Sequence, residues 1–157
     1  MQGASTALGP SVVLEARVAR WAVRIHAARV LEVIPRVALV PLPGAPLGAR
    51  GVIDHRGAAA VVIDLRERFG ADAPTRRWDP FVVVEGTPRL ALVVDEVRGV
   101  GALPDDVVIA SDLPTARIAG VTLGDDGAAL LVDPGALLDE AEVAQLRAAL
   151  EAREGEA

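Results

Sequence analysis

Hydrophobic and polar residues alternate with a period of two near the start of the chain. Residues 12–18 (VVLEARV) show this alternation, which is typical of a strand that buries one face. Residues 21–25 (WAVRI) suggest a second strand. A two-residue step, Ala19-Arg20, separates them, so we predict two strands joined by a tight turn. Residues 26–34 (HAARVLEVI) fit a helical turn or a strand equally well, and Pro35 ends them.

Residues 42–70 are the part of the chain around which the other predicted elements are arranged. Its prolines and glycines predict a loop, which follows a possible short strand over 37–40. A strand, a tight turn at 54–57 (DHRG) and a second strand over 58–63 come next. Asp64 then predicts the cap of one helical turn over 65–69, which Gly70 ends.

The second half repeats short strands and turns. Gly99 to Gly101 predict a bulge or bend, and Asp133-Pro134 predicts a capped helical turn. Asp139 and Glu142 stand at capping-box spacing, which predicts a helix that ends near residue 152. The predicted strands of this half cover residues 81–85, 90–94, 98–103, 118–123 and 128–132. Many short strands with one terminal helix predict a mostly β barrel or sandwich.

Composition and charge narrow the possible functions. Hydrophobic residues make up 52% of the 157 residues and aromatic residues only 3%, so an aliphatic core is expected. A net charge of −6 argues against nucleic acid as a partner. The chain has no cysteine, no signal-peptide pattern and no apolar run of the ~20 residues that a spanning helix needs. These features predict a soluble, cytoplasmic protein that is a monomer in isolation.

Three predicted strands end in an aspartate, namely Asp64, Asp95 and Asp133. One interpretation is a carboxylate cluster that, with His55, serves a small hydrolase or a metal site. The other, which Pro134 favours, is that each aspartate caps its own turn. No nucleophile-elbow motif is present, so we predict no catalytic residue, metal or cofactor. A third possibility, a barrel that binds a small ligand, requires an internal apolar cavity.

Arg56 lies in the predicted turn at 54–57, close to Gly51 and next to Gly57. A guanidinium offers five fixed donors, so it can brace backbone carbonyls and a carboxylate together. Glu32 is the candidate partner, because it lies in an apolar run where an unpaired charge is costly.

The order of these segments resembles the CheW family of coupling proteins from about residue 12 to residue 150. The family pattern G-V-x-N-x-R-G is matched at 51–57 (GVIDHRG), with Asp54 in place of the usual Asn. The other matching segments are a V-x-E-V element at 30–33, a Pro-Gly loop at 42–46, a strand ending in Asp-Leu at 61–65, a V-D-x-V element at 94–97 and a strand pair at 118–133.

The resemblance implies two small five-stranded SH3-like β-barrel lobes that share a core, with a C-terminal helix. The expected organisation is a flexible tail over 1–11, one CheW-like domain over 12–152 and a short tail over 153–157. Within the domain the lobes cover approximately 12–75 and 76–135, and strand exchange between them is possible.

The resemblance also implies a scaffold without catalytic activity that couples chemoreceptors to a CheA-type histidine kinase in cytoplasmic, membrane-associated receptor arrays. The expected receptor-binding residues are Glu32, Gly51, Arg56 and Gly57. The expected contacts with the regulatory domain of the kinase are Val33, Val52, Val94 and Val97. The alternative within this fold is a divergent adaptor of a non-chemotactic pathway that binds only one of these partners.

Overall fold

A computed structural model of the chain describes residues 11–72, 74, 76–103, 106–109, 118–124 and 127–155. Within these residues the fold consists of twelve strands in two sheets. In chain order the strands are β1 (Val12–Val18), β2 (Trp21–His26), β3 (Val30–Ile34), β4 (Val40–Pro41), β5 (Ala49–His55), β6 (Ala58–Asp64), β7 (Phe81–Val84), β8 (Arg89–Val93), β9 (Glu96–Ala102), β10 (Asp106–Ile109), β11 (Gly120–Gly124) and β12 (Gly127–Leu131).

Each sheet combines strands from both halves of the sequence. Sheet A has the order β10-β11-β12-β2-β1-β9, and sheet B has the order β3-β7-β8-β6-β5-β4. Hairpins provide most neighbours, but β2 pairs with β12 and β6 pairs with β8 in parallel. A cut near residue 75 therefore does not separate the two sheets, because strands are exchanged across it. Each sheet has six strands in the described part of the chain, including the short edge strands β4 and β10. The predicted fold class, mostly β with a C-terminal helix, is confirmed.

The helical segments begin where the sequence predicts them. The Asp64 carboxylate accepts a hydrogen bond from the Arg66 N–H and caps α1 (Leu65–Arg68). Asp139 and Glu142 accept each other's backbone N–H at the start of α2 (Glu140–Gly155), as the predicted capping box requires. Short 3₁₀ turns cover Ala27–Arg29 and Pro134–Ala136. No helix among the described residues is long and apolar enough to cross a bilayer.

The main hydrophobic core lies between the two sheets and is closed by α2, whose Leu146 is fully buried. Sheet B also buries its second face, where Phe81, Val62 and Val93 pack under Ile34 and Leu39. Burial on both faces explains why the central strands β6, β7 and β8 are continuously apolar rather than alternating. The alternation in β1 is preserved because only one of its faces lies against the shared core.

The structure resolves the ambiguous sequence segments. Residues 26–34 form a 3₁₀ turn and then β3, and the strand expected over 37–40 is reduced to Val40–Pro41. The bulge expected near Gly99 is present, because the β1–β9 register shifts opposite it. The first ten residues of the predicted N-terminal tail and the turn residues 104–105 and 125–126 lie outside the described residues.

Candidate functional site

The β5–β6 hairpin places Arg56 at an exposed position with a fixed backbone. The connection is the two-residue turn Arg56-Gly57, with φ of 53° and 82°. Two positive φ values in a two-residue hairpin loop define a type I′ turn, and Gly57 adopts its value without a steric cost. The Asp54 carboxylate accepts the Gly57 N–H at 2.9 Å. Asp54, which replaces the family's Asn, therefore stabilises the turn rather than pairing with Arg56.

Arg56 forms a bidentate ion pair with Glu32 of the edge strand β3. Its Nε donates to Glu32 Oε1 and its Nη2 donates to Oε2, both at 3.0 Å. The predicted pairing is confirmed. The Arg56 side chain nevertheless remains 74% exposed, so it braces the hairpin against β3 and faces solvent at the same time.

His55 lies beneath this ion pair and connects it to the start of β8. Its Nε2 is 2.7 Å from Glu32 Oε1. Arg89 Nη1 lies 3.1 Å from both His55 Nδ1 and the His55 carbonyl oxygen. Because a guanidinium only donates, Nδ1 accepts and Nε2 carries the proton that is donated to Glu32. Glu32 is thus held by two donors from neighbouring positions of β5 and its turn.

These donors change the acidity of Glu32. Hydrogen bonds from Arg56 first and His55 second lower the pKa of Glu32 from 4.5 to about 2. Both donors favour the ionised carboxylate, and they outweigh the effect of partial burial. Glu32 is therefore ionised throughout the neutral and mildly acidic range.

We expect a Glu32→Gln variant to be less stable than the wild type at neutral pH, and this difference to shrink in acid. The folded-state pKa lies below the ordinary value, so the ionised pair stabilises the fold above about pH 4.5 and loses this effect as the pH falls towards about 2. Thermal unfolding of both proteins across this range measures the difference. A difference that stays constant down to about pH 2 would contradict the assigned pair.

The two glycines predicted for this site have different environments. Gly57 occupies the turn beside Arg56. Gly51 is buried, and a Cβ atom there would collide with the Val40 carbonyl and the Leu39 side chain. Gly51 therefore permits the close approach of β4 to β5 and does not itself offer a surface to a partner.

The four valines predicted to contact a kinase also differ in how much of each residue is exposed. Val52 and Val94 lie in the shared core, with 5% and 0% exposure, so their side chains do not reach a partner. Val97 is partly buried against that core, whereas Val33 on β3 is 41% exposed. Leu31, which the sequence analysis did not single out, is 46% exposed on the same edge strand. The available signal was the two-residue repeat of a strand over 30–34, which places Leu31 and Val33 on the face opposite Val30, and the burial of β3 alternates accordingly.

Two of the three aspartates at the strand ends lie together, and the third lies apart from them. Asp64 and Asp95 converge with Asp79 on the buried guanidinium of Arg66. Asp133 lies elsewhere and caps its own turn through the Gly135 N–H at 2.9 Å. The expectation that each aspartate caps its own turn is thus correct for Asp64 and Asp133, while Asp95 accepts the N–H of the distant Ala19 at 2.7 Å.

This arrangement does not assemble the hydrolase or metal site considered from the sequence. The converging carboxylates share Arg66 instead of facing an open cleft, and His55 bonds to Glu32 and Arg89 rather than to Asp54 or Asp64. Within the described ranges no group of three or more His, Asp or Glu side chains is arranged to hold a metal ion.

Two surface cavities bear on the small-ligand possibility. One of about 250 Å³ is lined by Glu15, Arg24 and Arg98 among others, and one of about 170 Å³ has an apolar floor of Val62, Phe81 and Val93. Both are smaller than the roughly 300–1,000 Å³ of typical small-molecule sites. Among the described residues, the Glu32–Arg56 surface is therefore a better candidate for function than either of these cavities.

Comparison with known proteins gives two matches, one to a protein family and one to a solved structure. The family model of the CheW-like domain matches residues 13–142. The solved structure of the scaffolding protein TtCheW from Thermoanaerobacter tengcongensis superposes with a TM-score of 0.71 at 24% identity, over 78% of this chain and 88% of that one. A comparison with curated protein sequences gives no match.

Proposed function

Because the chain belongs to the CheW-like domain family, we propose that it is a scaffold that couples the cytoplasmic tip of a methyl-accepting chemoreceptor to the regulatory domain of a CheA-type histidine kinase. The observation that carries this proposal is the exposed ion pair between Glu32 on β3 and Arg56 in the type I′ turn of the β5–β6 hairpin. The protein acts by binding, at membrane-associated receptor arrays on the cytoplasmic side, and has no catalytic role.

The receptor-binding surface comprises Glu32, Arg56 and Gly57. A paired but exposed arginine is a suitable recognition group, because arginine is enriched among the residues that dominate binding energy. The type I′ turn and the pair with Glu32 restrict its conformations before binding, which lowers the entropic cost of association. Gly51 contributes indirectly, by allowing β4 to pack against β5.

The kinase-binding surface is the exposed edge of sheet B at β3. Leu31 and Val33 present apolar side chains there, and among the described strands β3 pairs only with β7, which leaves its other side open. An unpaired edge offers backbone donors and acceptors to another strand, and flanking apolar side chains add burial. Val97, on the edge strand β9 of sheet A, is a second proposed contact.

Titration calorimetry with the two isolated partners from the same cell tests the proposal. Arg56→Ala is expected to weaken binding to the receptor tip about tenfold or more and to leave binding to the kinase domain unchanged. Val33→Arg is expected to weaken binding to the kinase domain and to leave binding to the receptor tip unchanged, because it places a charge in an apolar contact. Arg153→Ala, an exposed arginine in the last turn of α2, is the matched control and should affect neither.

The outcomes separate the alternatives. Unchanged receptor binding by folded Arg56→Ala would remove Arg56 from the receptor site. Binding to only one partner by the wild type would favour the divergent adaptor of a non-chemotactic pathway. Binding to neither partner would overturn the proposed coupling function.

A further inference from the structure

His55 is a buried polar side chain at a position that the G-V-x-N-x-R-G pattern leaves open. It is only 5% exposed, although it lies one residue from the exposed tip of the hairpin. A buried imidazole needs partners for both ring nitrogens, and here they come from Glu32 and Arg89. These contacts join residues that are 23 and 34 positions apart in the sequence.

The hydrogen bonds form one connected series that runs from the half-buried Arg89 through the buried His55 to the exposed Arg56. Arg89 donates to His55, which makes the Nε2–H form of the ring the one that fits. His55 then donates to Glu32 Oε1, and Arg56 donates to both oxygens of the same carboxylate. Arg89 therefore sets the His55 tautomer, and His55 fixes the plane of the carboxylate that holds Arg56.

The hydrogen bonds to Glu32 also determine which edge of the Arg56 guanidinium remains available to a partner. The guanidinium uses one edge, Nε and Nη2, on Glu32. An arginine has five N–H donors in a rigid fork, and no hydrogen bond to a described residue uses the other three. The remaining edge, formed by Nη1 and the second hydrogen of Nη2, matches a second carboxylate in a bidentate arrangement.

We propose that His55 and Arg89 are positioning residues that fix the Glu32–Arg56 pair, and that the group recognised by the open edge of Arg56 is a carboxylate of the partner. This inference rests on the proposed function for the identity of that partner, a receptor tip. Asp54 does not compete for Arg56, because its carboxylate is engaged by the Gly57 N–H.

The positioning role is tested without any partner, by NMR of the protein alone. In His55→Gln the amide can still donate to Glu32 and accept from Arg89, whereas His55→Leu can do neither. We expect slow solvent exchange of the Arg56 Nε–H in the wild type and in His55→Gln, and at least about tenfold faster exchange in His55→Leu. Imidazole nitrogen shifts of the wild type should report the Nε2–H tautomer. Equal exchange in all three proteins, with intact unfolding transitions, would overturn the positioning role.

The chemistry of the partner is tested with the receptor-tip fragment, in which each Asp and Glu is changed in turn to Asn or Gln. One such change is expected to weaken binding to the wild type about tenfold, and to have no further effect on Arg56→Ala. His55→Leu should also bind the unmodified tip about fivefold or more weakly, with His55→Gln close to the wild type. If no carboxylate matters, the carboxylate assignment is wrong. If the wild type binds no tip, the proposed function and that assignment fall together. The NMR of the protein alone still decides the positioning roles, through the exchange measurement for His55 and through the imidazole nitrogen shifts for Arg89.

Discussion

Arg66→Met is expected to lower the free energy of unfolding by about 3–5 kcal/mol, the usual result when one partner of a buried ion pair is removed. The fully buried Arg66 side chain is the centre of an ionic network that we call the Arg66 cluster, which consists of Asp64, Arg66, Arg76, Asp79 and Asp95. Denaturant unfolding of the wild type and the variant measures the change.

The size of this effect follows from the geometry of the cluster. Arg66 donates to both oxygens of Asp64 at 3.0 and 3.1 Å, lies 3.1 Å from Asp79 and lies 3.7 Å from Asp95. Burial alone would lower the pKa of Arg66, but the hydrogen bond and charge of Asp64, with Asp79 and Asp95, raise it. Without the guanidinium these carboxylates would remain buried, with Arg76 beside Asp79 and Asp95, Arg50 beside Asp64 and Arg17 beside Asp95 as cationic neighbours.

The cluster also connects the two sheets. Asp95 follows β8 of sheet B, and its carboxylate accepts the Ala19 N–H in the β1–β2 turn of sheet A at 2.7 Å. Ala19 has a φ of 53°, a left-handed conformation that costs a non-glycine residue roughly 1–2 kcal/mol. Loss of Arg66 should therefore loosen that turn as well, which hydrogen exchange at Ala19 would report.

A double variant distinguishes two contributions to the loss of stability. One is the lost attraction to Arg66, and the other is the cost of the buried carboxylate charge that remains. Adding Asp79→Asn to Arg66→Met removes one of the buried carboxylate charges that Arg66 helped to balance, so the double variant should recover part of the stability lost in Arg66→Met. Arg153→Met serves as the control for replacing an exposed arginine. A loss below about 1 kcal/mol in Arg66→Met would show that the cluster is solvated and its assignment wrong.

Arg68→Met is expected to lower the free energy of unfolding by about 2–3 kcal/mol and to release α2 from the body. Its Nη1 donates to the Leu47 carbonyl at 3.0 Å, and its Nη2 donates to the Leu137 carbonyl at 2.5 Å. The same two nitrogens bind the Glu142 carboxylate at 2.6 and 3.0 Å. Because the side chain is nearly buried, methionine fills the space but leaves two carbonyl oxygens without this donor.

Native-state hydrogen exchange along α2 distinguishes local release from global destabilisation. We expect the amides of α2 to lose more protection than those of β6 in Arg68→Met, since Glu142 belongs both to this contact and to the capping box. Glu142→Gln should show a smaller effect in the same direction. Uniform loss of protection across β6 and α2 would contradict a specific anchoring role.

The local features of this protein are determined by the sequence alone. The alternation over 12–18, the caps at Asp64 and Asp133 and the capping box at Asp139 depend on residues within a few positions of one another, and all of them are present. The Glu32–Arg56 pair was also predictable from the sequence. A charge within an apolar run requires a partner, and the predicted turn at 54–57 contains an arginine.

Only the tertiary structure decided which distant segments meet. The parallel pairs β2–β12 and β6–β8 join residues from opposite halves of the chain, so the local pattern of each half does not specify them. Val52 and Val94 are buried because other parts of the fold cover the chain on both sides at these two positions. Arg66 resembles a surface residue of a charged helical turn in sequence, yet chain segments around Asp79 and Asp95 enclose it. Local hydrogen bonding and periodicity are encoded within short windows, whereas burial and charge pairing depend on the long-range register of the strands.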